Sequence, residues 1–141
     1  LPPPVKKKYS KEHVLVLIFI YYFKSILSIS DIQTLLKPIT EKYFQNGKGF
    51  GLKEIYEEVF RMEPDEIEEL KKDMLKKYER ALTTFAGLPE EDTEFLRQFS
   101  FICLLSYDVY IKKLVIEKMI DDMKDKMPKP VSKAEKKNNE V

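Results

Sequence analysis

Ten consecutive apolar residues, Val14 to Phe23, stand near the amino end of the chain. The sequence continues through Leu27 without a turn signal, so the uninterrupted stretch from Lys11 is 17 residues long, whereas an average strand has about 5–6. Ser10 directly precedes this stretch and has a side chain suited to an N-cap. We therefore predict a helix from Lys11 to about Leu27 that is buried from several sides.

Composition favours helices in the rest of the chain as well. Only 4 of the 141 residues are glycine, about 3% against a usual 7%, and hairpin turns of an all-β protein need more of them. A chain of this length buries enough surface to form one stable domain without disulfides or metals. We predict an all-α fold, with an extended amino-terminal arm or wing remnant followed by a helical bundle of about five helices.

Turn residues and apolar periodicity divide the chain further. The predicted helices after the first one are a short second helix that ends near Pro38, a third from Leu52 that is stopped by Pro64, a fourth to about Ala86 and a last from about Glu90 to Met127. Within the last helix, residues 99–111 are apolar on nearly all sides, which is typical of a helix packed centrally among others. The prediction is one compact unit, made of residues 1–45, a bundle over 52–127 and a disordered tail over 128–141.

Charge is segregated along the sequence. Residues 1–53 carry a net charge of +6, residues 54–94 a net charge of −8 and residues 95–141 a net charge of +3, so the amino end is the part expected to face an anion. The longest apolar run has ten residues, whereas spanning a bilayer takes about 20, and the lysine-rich start is unlike a signal peptide. We expect a cytoplasmic protein with no membrane partner.

Residues with catalytic chemistry are scarce. The only histidine, His13, has no second histidine or cysteine at metal-ligand spacing, and Cys103 lies in the most apolar segment, where a thiol usually acts as a small buried hydrophobe. The glycine-rich loop of residues 46–51 lacks the preceding strand and the Lys-Ser/Thr pair of phosphate-binding loops. We therefore expect a protein that is not an enzyme, without metal or cofactor.

A basic cluster at the amino end is the most suggestive feature. Three consecutive lysines in an extended arm point to both sides of the backbone, and a tyrosine that follows them can donate its hydroxyl to a phosphate oxygen. Such contacts position a protein on DNA without reading its sequence. The hypothetical DNA phosphate contacts are Lys6, Lys7, Lys8, Tyr9, Lys11 and His13; the alternative is a solvated lysine cluster.

The segment YSKEHVLVLIFIYYFKSILSISDIQTLL, residues 9–36, resembles the second half of a winged helix-turn-helix of the mercury-resistance-regulator (MerR) type. In that family a tyrosine ends the wing, and a helix follows with apolar positions that match Val14, Leu17 and Ile20. The stretch LPPPVKKKYSKEHV with LIFIYYFK and LSISDI also resembles, over most of the chain, a bacterial family catalogued only as a domain of unknown function (number 1836).

The MerR resemblance implies a DNA-binding transcriptional regulator whose wing is residues 1–9. Residues 1–45 would be the wing and supporting helices, and the recognition helix would precede Leu1, so these 141 residues alone are not expected to bind a specific sequence. Residues 52–127 would dimerise or sense a partner, which makes DNA and a homodimer the expected partners. Two alternatives stay open: a helical protein-interaction module whose acidic stretch 54–94 docks a basic partner, and a small-molecule-binding bundle. The residues that would line the small-molecule site are Phe99, Phe101, Tyr107 and Tyr110.

Overall fold

The computed structural model describes residues 10–44 and 49–127, and all regular secondary structure in these ranges is helical. The helices are α1 (Lys11–Phe23), α2 (Ile29–Lys42), α3 (Leu52–Arg61), α4 (Glu63–Leu82) and α5 (Glu90–Lys126). The predicted all-α fold is thus confirmed. Met62 alone separates α3 from α4, so the described chain has four helices if this pair is counted as one bent helix. The predicted arm and tail lie outside the described residues.

Short polar contacts fix where three of the helices begin. The Ser10 hydroxyl accepts the backbone N–H of His13 at 3.3 Å, and the Ser28 hydroxyl accepts that of Asp31 at 3.1 Å. At α3 the contact runs the other way, because the Glu54 carboxylate accepts the backbone N–H of Gly51 at 2.9 Å. These bonds satisfy N–H groups that have no partner within a helix, which explains why the chain enters a helix at these points.

Three helix ends differ from the prediction. α4 ends at Leu82 rather than near Ala86, because the chain reverses through Phe85 and Gly87, both at positive φ. α1 ends at Phe23 rather than near Leu27, because the chain turns so that Leu27 enters the core and the next residue caps α2. α2 does not end near Pro38 but continues through it to Lys42. The proline removes one backbone donor, yet Ile39 beyond it packs against the core and accepts the next turn's N–H from Tyr43. Tertiary packing therefore outweighs the local signal.

The buried core lies where α1, α2 and α3 meet the carboxyl-terminal part of α5. Its fully enclosed members include Leu52, which is 0% exposed, and Val16 and Ile120, which are each 1% exposed. We call α1, α2, α3 and residues 114–127 of α5 the head. The other buried apolar residues of this cluster are Phe19, Leu27, Ile32 and Leu36.

α4 and the first two thirds of α5 form a second part, an antiparallel pair that we call the hairpin (residues 63–113). Tyr78 meets Phe101 edge to face at 5.5 Å, and the Arg97 guanidinium donates to the carbonyl oxygen of Thr84 at 3.0 Å. Positive φ angles at Phe85 (57°) and Gly87 (92°) reverse the chain between the two helices.

The hairpin buries little of its apolar surface. Among its described residues only Ala81 and Thr93 are buried. The prediction that residues 99–111 form a centrally packed helix is therefore wrong for residues 10–44 and 49–127, because within these ranges α4 packs on one side of that segment and side chains on its other sides are exposed.

Candidate functional site

The predicted DNA-contacting residues divide into two groups. Lys6, Lys7, Lys8 and Tyr9 lie outside the described residues. Lys11 is exposed in the first turn of α1, where its ammonium is open to solvent. The exposure of Lys11 is compatible with a contact to a DNA phosphate, which stays a prediction.

His13 is placed differently, because only 4% of it is exposed. The backbone N–H of Ser10 donates to its Nδ1 at 3.2 Å, and the Ser10 hydroxyl lies 2.7 Å from the same nitrogen. Its ring also meets Phe44 edge to face at 4.9 Å. With this burial and these contacts, His13 offers little surface to a phosphate, and we correct its role to that of a capping residue. Through these contacts, His13 holds the backbone of Ser10 against the first turn of α1.

An ion pair that sequence analysis did not identify joins the two ends of the head. The Lys124 ammonium near the end of α5 lies 2.9 Å from the Asp31 carboxylate in the first turn of α2. The Asp31 side chain is 13% exposed, and Lys124 also reaches the Ser30 hydroxyl at 3.4 Å. The hydrogen bond from Lys124 holds the pKa of the Asp31 carboxyl below its usual value. The pair joins α5 to α2 within the head over a sequence separation of 93 residues.

This pair makes the stability of the head depend on pH. Because the pKa of Asp31 is lower in the folded chain, its contribution is present above the unfolded pKa of about 3.9 and is lost as pH falls below it. We expect Asp31→Asn to lower the melting temperature at pH 7, and the difference from the unaltered chain to shrink and then vanish as pH falls through the lowered pKa of Asp31. Thermal unfolding followed by circular dichroism from pH 2 to 7 measures this. A difference that stays constant over the whole range would contradict the prediction.

The four aromatic residues of the small-molecule hypothesis do not share one cavity. Phe99 and Tyr107 line a cavity of about 470 Å³, whereas Phe101 lines one of about 560 Å³ that is also bounded by Tyr78. Tyr110 is 62% exposed. The hairpin therefore separates residues that a single aromatic binding site would need together.

Other candidate chemistry in the described residues is sparse. Cys103 is half-buried beside the Phe99 cavity rather than enclosed. No group of three or more potential metal ligands occurs in residues 10–44 and 49–127. Within those same ranges, no helix combines the length and apolar character needed to cross a bilayer.

Most acidic residues of the stretch 54–94 lie on the hairpin. Glu68 and Glu69 of α4 pair with Lys71 and Lys72, each at 3.4 Å, and all four side chains are more than 60% exposed. Exposed pairs of this kind contribute little to stability. They partly neutralise the surface that the interaction-module hypothesis assigns to a basic partner.

Comparison with known proteins gives one match. Residues 1–59 match the model of a family described as Domain of unknown function (DUF1836), which confirms the resemblance to that family, over 59 residues rather than most of the chain. The match covers the lysine cluster, α1, α2 and most of α3. No curated protein and no solved structure matches this chain.

Proposed function

With residues 1–59 matching a family that has no assigned activity, we propose that this chain is a non-catalytic, DNA-binding transcriptional regulator. The lysine cluster, residues 6–8, and the exposed Lys11 at the start of α1 would face the DNA, and Lys7 and Lys8 would contact its phosphates. The observation that carries the proposal is the segregation of charge along the sequence: residues 1–53 carry a surplus of basic side chains, half of it in the lysine run at residues 6–8, and residues 54–94 carry a surplus of acidic ones.

That separation suits a protein that approaches a polyanion from one end. Residues 1–53 carry a net charge of +6, whereas the acidic residues of 54–94 lie mostly on the hairpin. α4 has 20 residues and is therefore about 30 Å long, several times the roughly 8 Å over which salt screens charge in the cell. Acidic groups at the far end of the hairpin would not weaken phosphate binding at the head.

The outer face of α1 gives further support. Val14 and Leu17 stand at positions where the MerR resemblance has apolar residues, yet they are 48% and 45% exposed. An apolar face of this kind suits contact with the helix-turn-helix that the resemblance places before Leu1. In this proposal the face joins the head to the rest of a DNA-binding domain.

The test is replacement of Lys7 and Lys8 together by alanine. We expect the 141-residue chain to bind duplex DNA weakly and without sequence preference, because lysines that meet phosphates release counterions but do not read bases. The double substitution should weaken binding to all sequences equally and lower the slope of log K against log salt by roughly 1 per lost contact. Fluorescence anisotropy with labelled duplexes at several salt concentrations measures both quantities.

A matched control replaces another adjacent lysine pair, Lys71 and Lys72, by alanine. These lysines are exposed on the acidic hairpin, so their loss should leave the salt slope unchanged. If the unaltered chain shows no salt-dependent binding, or if both double variants behave alike, the lysine cluster is only a solvated surface. The interaction-module hypothesis would then replace the regulator.

A further inference from the structure

One side of the hairpin carries a continuous row of exposed apolar side chains. On α5 these residues are 59–66% exposed, and on α4 they are 44–57% exposed. We call this surface the hairpin face. It consists of Leu75, Tyr78 and Leu82 of α4 and Phe95, Ile102 and Val109 of α5.

The spacing of these residues places them on the same side. Phe95, Ile102 and Val109 are seven residues apart, as are Leu75 and Leu82, and this interval returns to the same side of a helix when helices pack in bundles. Tyr78, Leu82 and Ile102 also line one shared cavity between the two helices. The rows on α4 and α5 therefore form one surface.

The size of the hairpin face is that of a stable interface. The six residues are 44–66% exposed, so together they offer several hundred Å² per chain, of the order of the roughly 800 Å² that each partner buries in a standard complex. Soluble monomers rarely expose an apolar patch larger than a few hundred Å². Two helices make only one layer, and an apolar layer needs a second one against it.

We propose that the hairpin face binds the hairpin face of a second copy of this chain, forming a four-helix bundle about a two-fold axis. The partner must supply an apolar helical surface with few charges and the same seven-residue spacing, and the hairpin itself has that surface. Over residues 95–111 the only charged side chains are Arg97 and Asp108. Both are engaged within the hairpin, Arg97 with Thr84 and Asp108 with Lys77 and Lys112.

A membrane surface fits this face less well. Helices that lie in a lipid interface are usually rich in lysine and arginine on their polar side, whereas α4 has seven acidic and five basic residues. Its exposed acidic groups would be repelled by anionic lipid headgroups. A second copy of the chain would not be repelled in this way, because the borders of the hairpin face carry both signs of charge. The bordering residues include Glu68, Lys71, Glu94 and Lys113.

The spacing of the apolar residues indicates where the proposed two-fold axis crosses α5. In a symmetric pair each contact occurs twice, and a two-fold axis that runs across the helices makes the middle of the row meet its own copy. On α5 that middle is Ile102, with Phe95 and Val109 equally far on either side. An antiparallel pairing of α5 with its copy brings Phe95 of one chain to Val109 of the other. It also keeps the two heads at opposite ends.

The test is Ile102→Glu, which places two carboxylates opposite each other at the axis. We expect a dimer of the unaltered chain and a monomer of the variant in sedimentation equilibrium at micromolar concentration, with the dissociation constant raised at least 100-fold. Ile29→Glu is the control, because Ile29 is 77% exposed and lies outside the hairpin. The control should remain a dimer. A monomeric unaltered chain, or a dimeric Ile102→Glu variant with unchanged helix content, would overturn the proposal.

A second variant tests the position of the axis. Ile102→Cys in a Cys103→Ser background should form a disulfide between two copies under mild oxidation, because its Cα atoms would approach within disulfide range. Ile29→Cys in the same background should not. A dimer that Ile102→Cys fails to cross-link would overturn the proposed pairing. Both measurements are made without DNA, so they can fail or succeed independently of the regulator proposal.

Discussion

Replacing Leu52 by alanine is expected to lower the free energy of unfolding by about 2–5 kcal/mol. Leu52 is 0% exposed and belongs to the one buried cluster of the head. Its backbone N–H also donates to the carbonyl oxygen of Tyr43 at 3.0 Å, which fixes the start of α3 against the end of α2. The backbone cannot move inward freely to close the space that the missing methyl groups leave, so most of the cavity should remain.

The effect should be visible as a lower urea midpoint with an unchanged slope, followed by circular dichroism at 222 nm. Ile29→Ala provides the control, since Ile29 is 77% exposed in the first turn of α2 and its loss should change stability by no more than about 0.5 kcal/mol. If Leu52→Ala cost as little as Ile29→Ala, Leu52 would not be part of a rigid core.

The sequence predicts helix bounds well where the chain contains strong local stop signals. Pro64 lies in the first turn of α4, just after the break at Met62, and Pro89 directly precedes α5. Gly87 reverses the chain with a φ of 92°, which a residue with a side chain adopts only at a cost. Each of these residues acts on its own backbone, so the signal needs no knowledge of the fold.

Features that depend on tertiary contacts could not be predicted in the same way. Pro38 locally predicts a helix end, but Ile39, the next residue, packs against the core and the helix continues. Asp31 and Lys124 look like ordinary surface charges until the fold brings them within 2.9 Å. The candidate site shows the same limit, because the Phe44 ring meets His13 only once α1 and α2 are packed.

The middle of α5 shows a further kind of difference. Its sequence is apolar on nearly all sides, which is typical of a helix with neighbours on several sides, but among the described residues it is α4 that packs against this segment. Side chains such as Phe99 and Tyr110 remain 53% and 62% exposed. An apolar sequence can therefore predict that a helix is packed against other helices without showing whether those helices belong to the same chain. In the proposed dimer, the second copy would cover this side of α5.

A proline at position 106 would test both the continuity of α5 and its role in the hairpin. Ser106 is exposed near the middle of this 37-residue helix, so its replacement removes no buried side chain. Proline removes a backbone N–H, and its ring clashes with the carbonyl oxygen of Ile102 one turn earlier, at a cost of about 3 kcal/mol or more. We expect Ser106→Pro to lower the free energy of unfolding by that amount.

The same substitution should also bend the hairpin face at its centre, since Ile102 and Val109 lie on either side of position 106. We therefore expect Ser106→Pro to weaken self-association, while Ser106→Ala, which keeps the N–H and has a higher helix propensity, should stabilise the chain by up to about 0.5 kcal/mol and leave association intact. Urea unfolding and sedimentation equilibrium measure the two effects. A proline variant with unaltered stability would show that α5 is not one continuous helix. A destabilised variant that still associates like the alanine variant would show that the two copies do not meet along this part of α5.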